Sequence, residues 1–115
     1  MKYKVIVADS FNKPAKKLAK RYSSFPQDLL GLIDELENDP TIGVSLGGNL
    51  RKIRLAIKSK AKGKSGGARV ISYVYLLGNS VHLLTVYDKS EIATVSDEQL
   101  QELVSEVLRS LENEL

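Results

Sequence analysis

The sequence predicts an α+β fold: a small antiparallel sheet dressed by helices, with elements in the order β-α-α-β-β-β-α. Three observations carry this. Residues 50–58, LRKIRLAIK, alternate apolar and cationic side chains with the period of a strand. Two stretches before them, each marked by a proline, repeat apolar residues at helical spacing. The last twenty residues begin with a capping signal and continue as a Leu/Val stripe.

Taken in order, YKVIVA (3–8) sets Tyr3, Val5 and Val7 against Lys4, Ile6 and Ala8. Both faces are largely apolar, so this strand is expected in the interior of the sheet. In DSFNKPAKKLAKRY (9–22), Asp9, Ser10 or Asn12 can cap a helix and Pro14 suits its first turn. Phe11, Ala15, Leu18, Ala19 and Tyr22 then share one face, leaving Lys13, Lys16, Lys17, Lys20 and Arg21 to water. A second helix follows in SSFPQDLLGLIDELENDP (23–40), with Ser24 as cap, Pro26 in the first turn and Asp28 near the positive end of the dipole. Its stripe is Leu29, Leu32, Ile33 and Leu36. The two helices are expected to form a hairpin covering one face of the sheet.

Residues 41–49 read as a glycine-rich loop. In the strand at 50–58, Ile53, Leu55 and Ile57 point one way and Lys52, Arg54 and Lys58 the other. SKAKGKSGG (59–67) is a flexible connection, ARVISYVYLL (68–77) a third strand, GNS a tight turn and VHLLTVYD (81–88) a fourth strand. These last three strands make a meander. Ser96 and Gln99 fit a capping box for the final helix, whose stripe runs through Leu100, Leu103, Val104, Val107, Leu108 and Leu111. That stripe is expected to pack on the sheet.

At 115 residues, without a linker or repeat, the chain reads as a single domain, 1–115. It has no cysteine and one histidine, so neither a disulfide framework nor a zinc site is expected, and no cofactor is called for. The N-terminus lacks a signal-peptide layout and no apolar run approaches a membrane span, which implies a cytoplasmic protein. Charge is segregated: residues 1–89 hold 16 Lys/Arg against 7 Asp/Glu, and residues 90–115 hold 1 against 7. Residues 51–69 contain Arg51, Lys52, Arg54, Lys58, Lys60, Lys62, Lys64 and Arg69 without an acid. Such a run attracts polyanions.

Within it, GKSGGARV (63–70) is not a Walker loop, because the earlier glycine and the following helix are missing. Its glycines suit a flexible connection or a backbone nest for an anion. Arg69 stands apart from the other cations because it sits among Val70, Ile71 and Val74. His82 falls with Leu84 and Val86 in a strand pattern, where a histidine is more often structural than catalytic. Tyr73, Tyr75 and Tyr87 offer rings for stacking on bases or for packing.

RKIR (51–54), GKSGGARV and the apolar strand ending YDKSE (87–91), in this order of elements, resemble the RelE/HigB family of bacterial toxins from type II toxin–antitoxin systems, especially its HigB-like branch. The resemblance implies a RelE/ParE-like fold. It implies a ribosome-dependent mRNA endonuclease that needs no metal, uses the RNA 2′-OH as nucleophile, and is silenced by a cognate antitoxin, here a HigA-like helix-turn-helix protein. Ribosome and mRNA are then partners, and no membrane is. By the same resemblance, Lys52 and Arg54 assist cleavage, Arg69 stabilises the scissile phosphate and Lys89 is a further active-site cation. Lys58, Lys64, Tyr73 and Tyr87 are the implied RNA contacts. The family's late tyrosine has no counterpart in IATVS (92–96). Two other readings share the fold: a ParE-like gyrase inhibitor without nuclease activity, and a catalytically weak relative that retains antitoxin or RNA binding.

Overall fold

The computed structural model describes residues 2–60, 66–92 and 94–113. Its elements are β1 (Lys4–Val7), α1 (Asp9–Arg21), α2 (Phe25–Asn38), β2 (Val44–Gly47), β3 (Leu50–Leu55), β4 (Ala68–Tyr75), β5 (Ser80–Asp88) and α3 (Asp97–Asn113), with 3-10 turns at Lys58–Lys60 and Leu76–Gly78. The α+β class is as expected. The sheet has five strands in the order β1-β5-β4-β3-β2.

Three details of the sheet differ from the sequence reading. The loop at 41–49 contains β2, which hairpins against β3. Gly43 enables the approach: its φ is +102°, and a Cβ there would stand 2.5 Å from the Lys52 carbonyl oxygen. β1 lies at an edge rather than inside, pairing in parallel with β5, so the sheet is mixed. Its apolar character on both sides reflects helices on both faces of the sheet, not strands on both flanks. The strand at 50–58 ends at Leu55, so its alternation does not carry to Lys58.

Register assigns the faces. Ile53 opposes Val70 and Val70 opposes Val86. This side packs on α1 and α2 in a core that includes Phe11, Leu18, Phe25, Leu32 and Leu36. The other side presents Leu50, Ile71, Leu84 and Tyr87 to Leu100 and Val107 of α3. Burying a Leu or Phe side chain stabilises by about 1.5–3 kcal/mol, so α3 is held chiefly by its apolar stripe. The capping box forms as expected: Ser96 N–H donates to Gln99 Oε1 at 3.1 Å and Gln99 N–H to Ser96 Oγ at 3.2 Å.

The first two helices start differently from one another. Pro26 stands in the first turn of α2, as expected. Pro14 lies inside α1, because that helix already begins at Asp9. Ser24 does not cap with its side chain; its hydroxyl donates to Asp28 Oδ2 at 2.8 Å.

Candidate functional site

A direct opposition of arginines organises the site. Arg54 on β3 pairs in register with Arg69 on β4, and Arg69 pairs with Tyr87 on β5. Residues directly opposite in a sheet share a face, so all three look toward the α3 side. Lys52, two residues before Arg54 and opposite Ile71, shares that face. Lys89 is exposed just past the end of β5, where its N–H donates to the Gly67 carbonyl at 3.2 Å. The ladder therefore continues one step beyond β5 and brings Lys89 beside the entry to β4.

The cations differ in depth. Arg54 is exposed and Lys52 half-buried. Arg69 is only 4% exposed and Tyr87 only 5%. Burial pushes the Arg69 guanidinium down from its ordinary pKa, the neighbouring Arg54 charge adds to this, and Tyr87 opposes it. An arginine remains charged regardless. Its Nη1 donates to the Ala68 carbonyl at 3.0 Å, which helps hold the side chain in place. Burial pushes the Tyr87 phenol up, against the Arg69 charge and the nearby Thr94 side chain. Tyr87 therefore stays protonated at neutral pH: it can give a proton or a hydrogen bond, and it does not serve as a base.

The edge of this site rests on a buried network absent from the sequence reading. Asp88 Oδ1 accepts from Lys60 Nζ at 2.6 Å and from Ser90 N–H and Oγ at 2.9 and 2.7 Å. Its Oδ2 accepts from Tyr22 Oη at 2.7 Å. Burial alone would raise the Asp88 pKa; the hydrogen bonds from Lys60, Ser90 and Tyr22 outweigh it and hold the carboxyl well below the usual carboxylate range. A second buried acid, Asp28, accepts from the Lys58 N–H at 3.0 Å. The two carboxylates fasten both ends of the Lys58–Lys60 turn, where the basic connection starts. Lys60 is thus a structural cation within the basic run. The sequence signal was an Asp at the end of an otherwise apolar strand.

Of the other candidates, Lys58 is exposed on its turn, and Lys64 lies outside the described residues. Tyr73 is half-buried and packs against the core beneath α3. His82 corrects the sequence reading. A bulge where Ile71 opposes Thr85 and Ser72 opposes Leu83 shifts the parity of β5. His82 and Val86 consequently lie on opposite faces. His82 is 5% exposed, with Nε2 3.0 Å from Ser80 Oγ, which fits a structural role. Among the described residues no group of three His, Cys, Asp or Glu is placed to hold a metal ion, and no helix is long and apolar enough to cross a membrane.

No protein-family model matches the chain. Solved structures do. A mutant of E. coli toxin RelE in the free state is 17% identical, with 96% of this chain and 98% of that chain covered and a TM-score of 0.52. A RelBE toxin–antitoxin complex from Mycobacterium tuberculosis is 14% identical, covering 76% and 92%, at 0.55. An archaeal RelE–RelB complex from Pyrococcus horikoshii is 21% identical, covering 80% and 100%, at 0.54. The chain has the RelE-type fold.

Proposed function

We propose that this chain is the toxin of a type II toxin–antitoxin system, of the HigB-like branch, and that it cleaves mRNA on the ribosome. The observation that carries the reading is the opposition of Arg54 and Arg69 on one sheet face, flanked by Lys52 and Lys89, on a RelE-type fold. Here two cations oppose each other across adjacent strands, an arrangement that a phosphodiester relieves.

The chemistry follows from charge. The RNA 2′-oxygen attacks the adjacent phosphorus, the bond to the 5′-oxygen breaks, and a 2′,3′-cyclic phosphate forms. The 2′-OH proton passes to a base, and the leaving 5′-oxygen takes up a proton. Negative charge gathers on the phosphate oxygens in between, and preplaced cations stabilise it more than they stabilise the ground state. Arg54 is exposed and meets the phosphate with a planar fork. Arg69 acts from beneath, where low dielectric lengthens the reach of its charge. Lys52, on the same face two residues from Arg54, is the proposed base. Lys89 completes the positive rim.

A cognate antitoxin, HigA-like in this reading, is the proposed partner, and the solved RelBE and RelE–RelB complexes support one for this fold. The site of action is the cytoplasm, where ribosomes are. The test is cleavage of a defined mRNA by purified protein with and without ribosomes. Cutting only with ribosomes is the expected result. Loss of DNA supercoiling with intact mRNA would replace this reading with gyrase inhibition.

A further inference from the structure

The outer edge of β3 is only partly covered. Val74 N–H donates to the Asn49 carbonyl. Bonded pairs in an antiparallel ladder recur at every second residue, so Arg51, Ile53 and Leu55 bond to β4, and Lys52 and Arg54 turn their backbone groups outward. β2 meets the outward groups only as far as Lys52. The backbone N–H and C=O of Arg54, and those of Ala56 after it, have no hydrogen-bond partner among the described residues. They border a hollow of about 240 Å³ between β3 and α2, walled by Leu32, Ile42, Ile53 and Leu55.

Two features separate this hollow from an ordinary sheet edge. Gly31 stands midway along α2 and lines it. No steric demand calls for glycine there, since a Cβ would meet nothing within 4 Å, and glycine is the poorest helix former after proline. Its effect is to leave the α2 wall open above an unpaired strand edge. The second feature is charge. Arg54 and Lys58 lie on the strand side of the hollow, Asp28 and Glu35 on the helix side. Among the described residues the Arg54, Lys58 and Glu35 side chains form no ion pair. Acids along one wall repel an RNA backbone, which sets this hollow apart from the cation row.

We infer that this edge docks an extended peptide strand, and that the strand belongs to the antitoxin and neutralises Arg54. The regulatory meaning rests on the proposed toxin function; the docking does not. An unpaired edge takes a peptide by strand addition, with main-chain bonds giving affinity and pockets for alternate side chains giving specificity. Register sets the chemistry of the strand. A residue directly opposite Arg54 shares its sheet face, where an Asp or Glu meets the guanidinium. Its two neighbours point to the α2 side, where the hollow accepts aliphatic side chains. The docking sequence is therefore aliphatic–acidic–aliphatic. Such a strand withdraws exposed Arg54 from the cation row without having to reach buried Arg69.

The test titrates the purified full chain with the synthetic peptide acetyl-Thr-Leu-Glu-Leu-Thr-amide, reading the backbone amide resonances of Arg54 and Ala56 by NMR. Expected is saturation with a Kd of about 1 mM or tighter. The same peptide with Lys in place of Glu should bind at least about three-fold more weakly. Gly31→Leu fills the hollow from an open position on α2; it should keep the circular dichroism of the wild type and weaken binding roughly ten-fold or more. No response at Arg54 and Ala56, equal binding of the Lys peptide, or unchanged binding by Gly31→Leu would overturn the inference. The same shifts on concentrating the chain alone would assign the edge to a second copy and overturn it as well. Saturating peptide should also slow ribosomal mRNA cleavage, and an unchanged rate would remove the neutralising role. If the wild-type chain cuts nothing on ribosomes, the proposed function falls, while the peptide titration still decides this edge.

Discussion

Asp88→Asn should cost this fold about 3–5 kcal/mol at pH 7, the usual penalty for breaking a buried ion pair from one side. The Asp88 side chain is 1% exposed and that of Lys60 9%. Asparagine keeps the shape but turns one oxygen into an NH₂. On the Oδ2 side that group faces the Tyr22 hydroxyl; on the Oδ1 side it faces the Lys60 ammonium and Ser90. In the second placement a donor meets an ammonium, in the first the Tyr22 hydroxyl must turn to accept, and either way Lys60 loses its counter-charge in a buried setting. Against a total stability of about 5–15 kcal/mol, the loss is large enough to see in a urea titration.

The sign of the pH dependence follows from the depressed pKa. Asp88 titrates lower in the folded chain than in the unfolded one. Its stabilisation is therefore fully present above the unfolded value, about 3.9, and is lost as pH falls through the folded value. The gap between wild type and Asp88→Asn should be constant from pH 7 to 5 and narrow below about pH 4. Adding Lys60→Met to Asp88→Asn should cost less than the two single changes summed, because the orphaned charge is gone. A deficit under about 1 kcal/mol at pH 7, or a gap that does not narrow in acid, would refute the network as described.

Three further outcomes are expected. Gly67→Ala places a Cβ 2.1 Å from the Leu55 carbonyl oxygen and 3.1 Å from Ala56 Cα; it should lower the melting temperature and, by displacing the start of β4 next to Arg69, reduce mRNA cleavage. Ser96→Ala removes the capping hydroxyl of α3 and should cost about 1 kcal/mol in denaturant titrations, with helical circular dichroism largely kept. His82→Gln should leave the cleavage rate within about two-fold of wild type while lowering stability, since His82 bonds to Ser80 under cover; a rate loss of the order of a hundred-fold would return His82 to the mechanism.

Much of the fold was legible because its signals are local. The capping box at Ser96, Pro26 in α2 and the alternation of Ile53 and Leu55 against Lys52 and Arg54 are all short-range patterns, and each appears in the structure. Pairings between distant segments were not legible. The parallel partner of β1 is set by how the helical hairpin returns the chain, and β2 is four residues long with every residue exposed. The bulge in β5 leaves no mark in VHLLTVYD, yet it decides which face His82 and Val86 occupy.

The site was legible in part. The residues themselves stood out by charge, and the shared face of Arg54 and Arg69 depended on a register that the long connection concealed. Sequence gave no means of telling exposed Arg54 from buried Arg69, or of separating Lys60 from its basic neighbours. Those distinctions come from the depth at which each side chain sits and from Asp88 closing on Lys60.

A double-mutant cycle on ribosome-dependent mRNA cleavage, with Arg54→Ala and Arg69→Ala alone and together, tests the account where it is most exposed. If the two guanidiniums stabilise one phosphate, each single change should slow cleavage roughly 100-fold or more, and the double variant should be markedly faster than the product of the two losses predicts. Losses that multiply independently, or single variants within about ten-fold of wild type, would contradict a shared phosphate site on this sheet face.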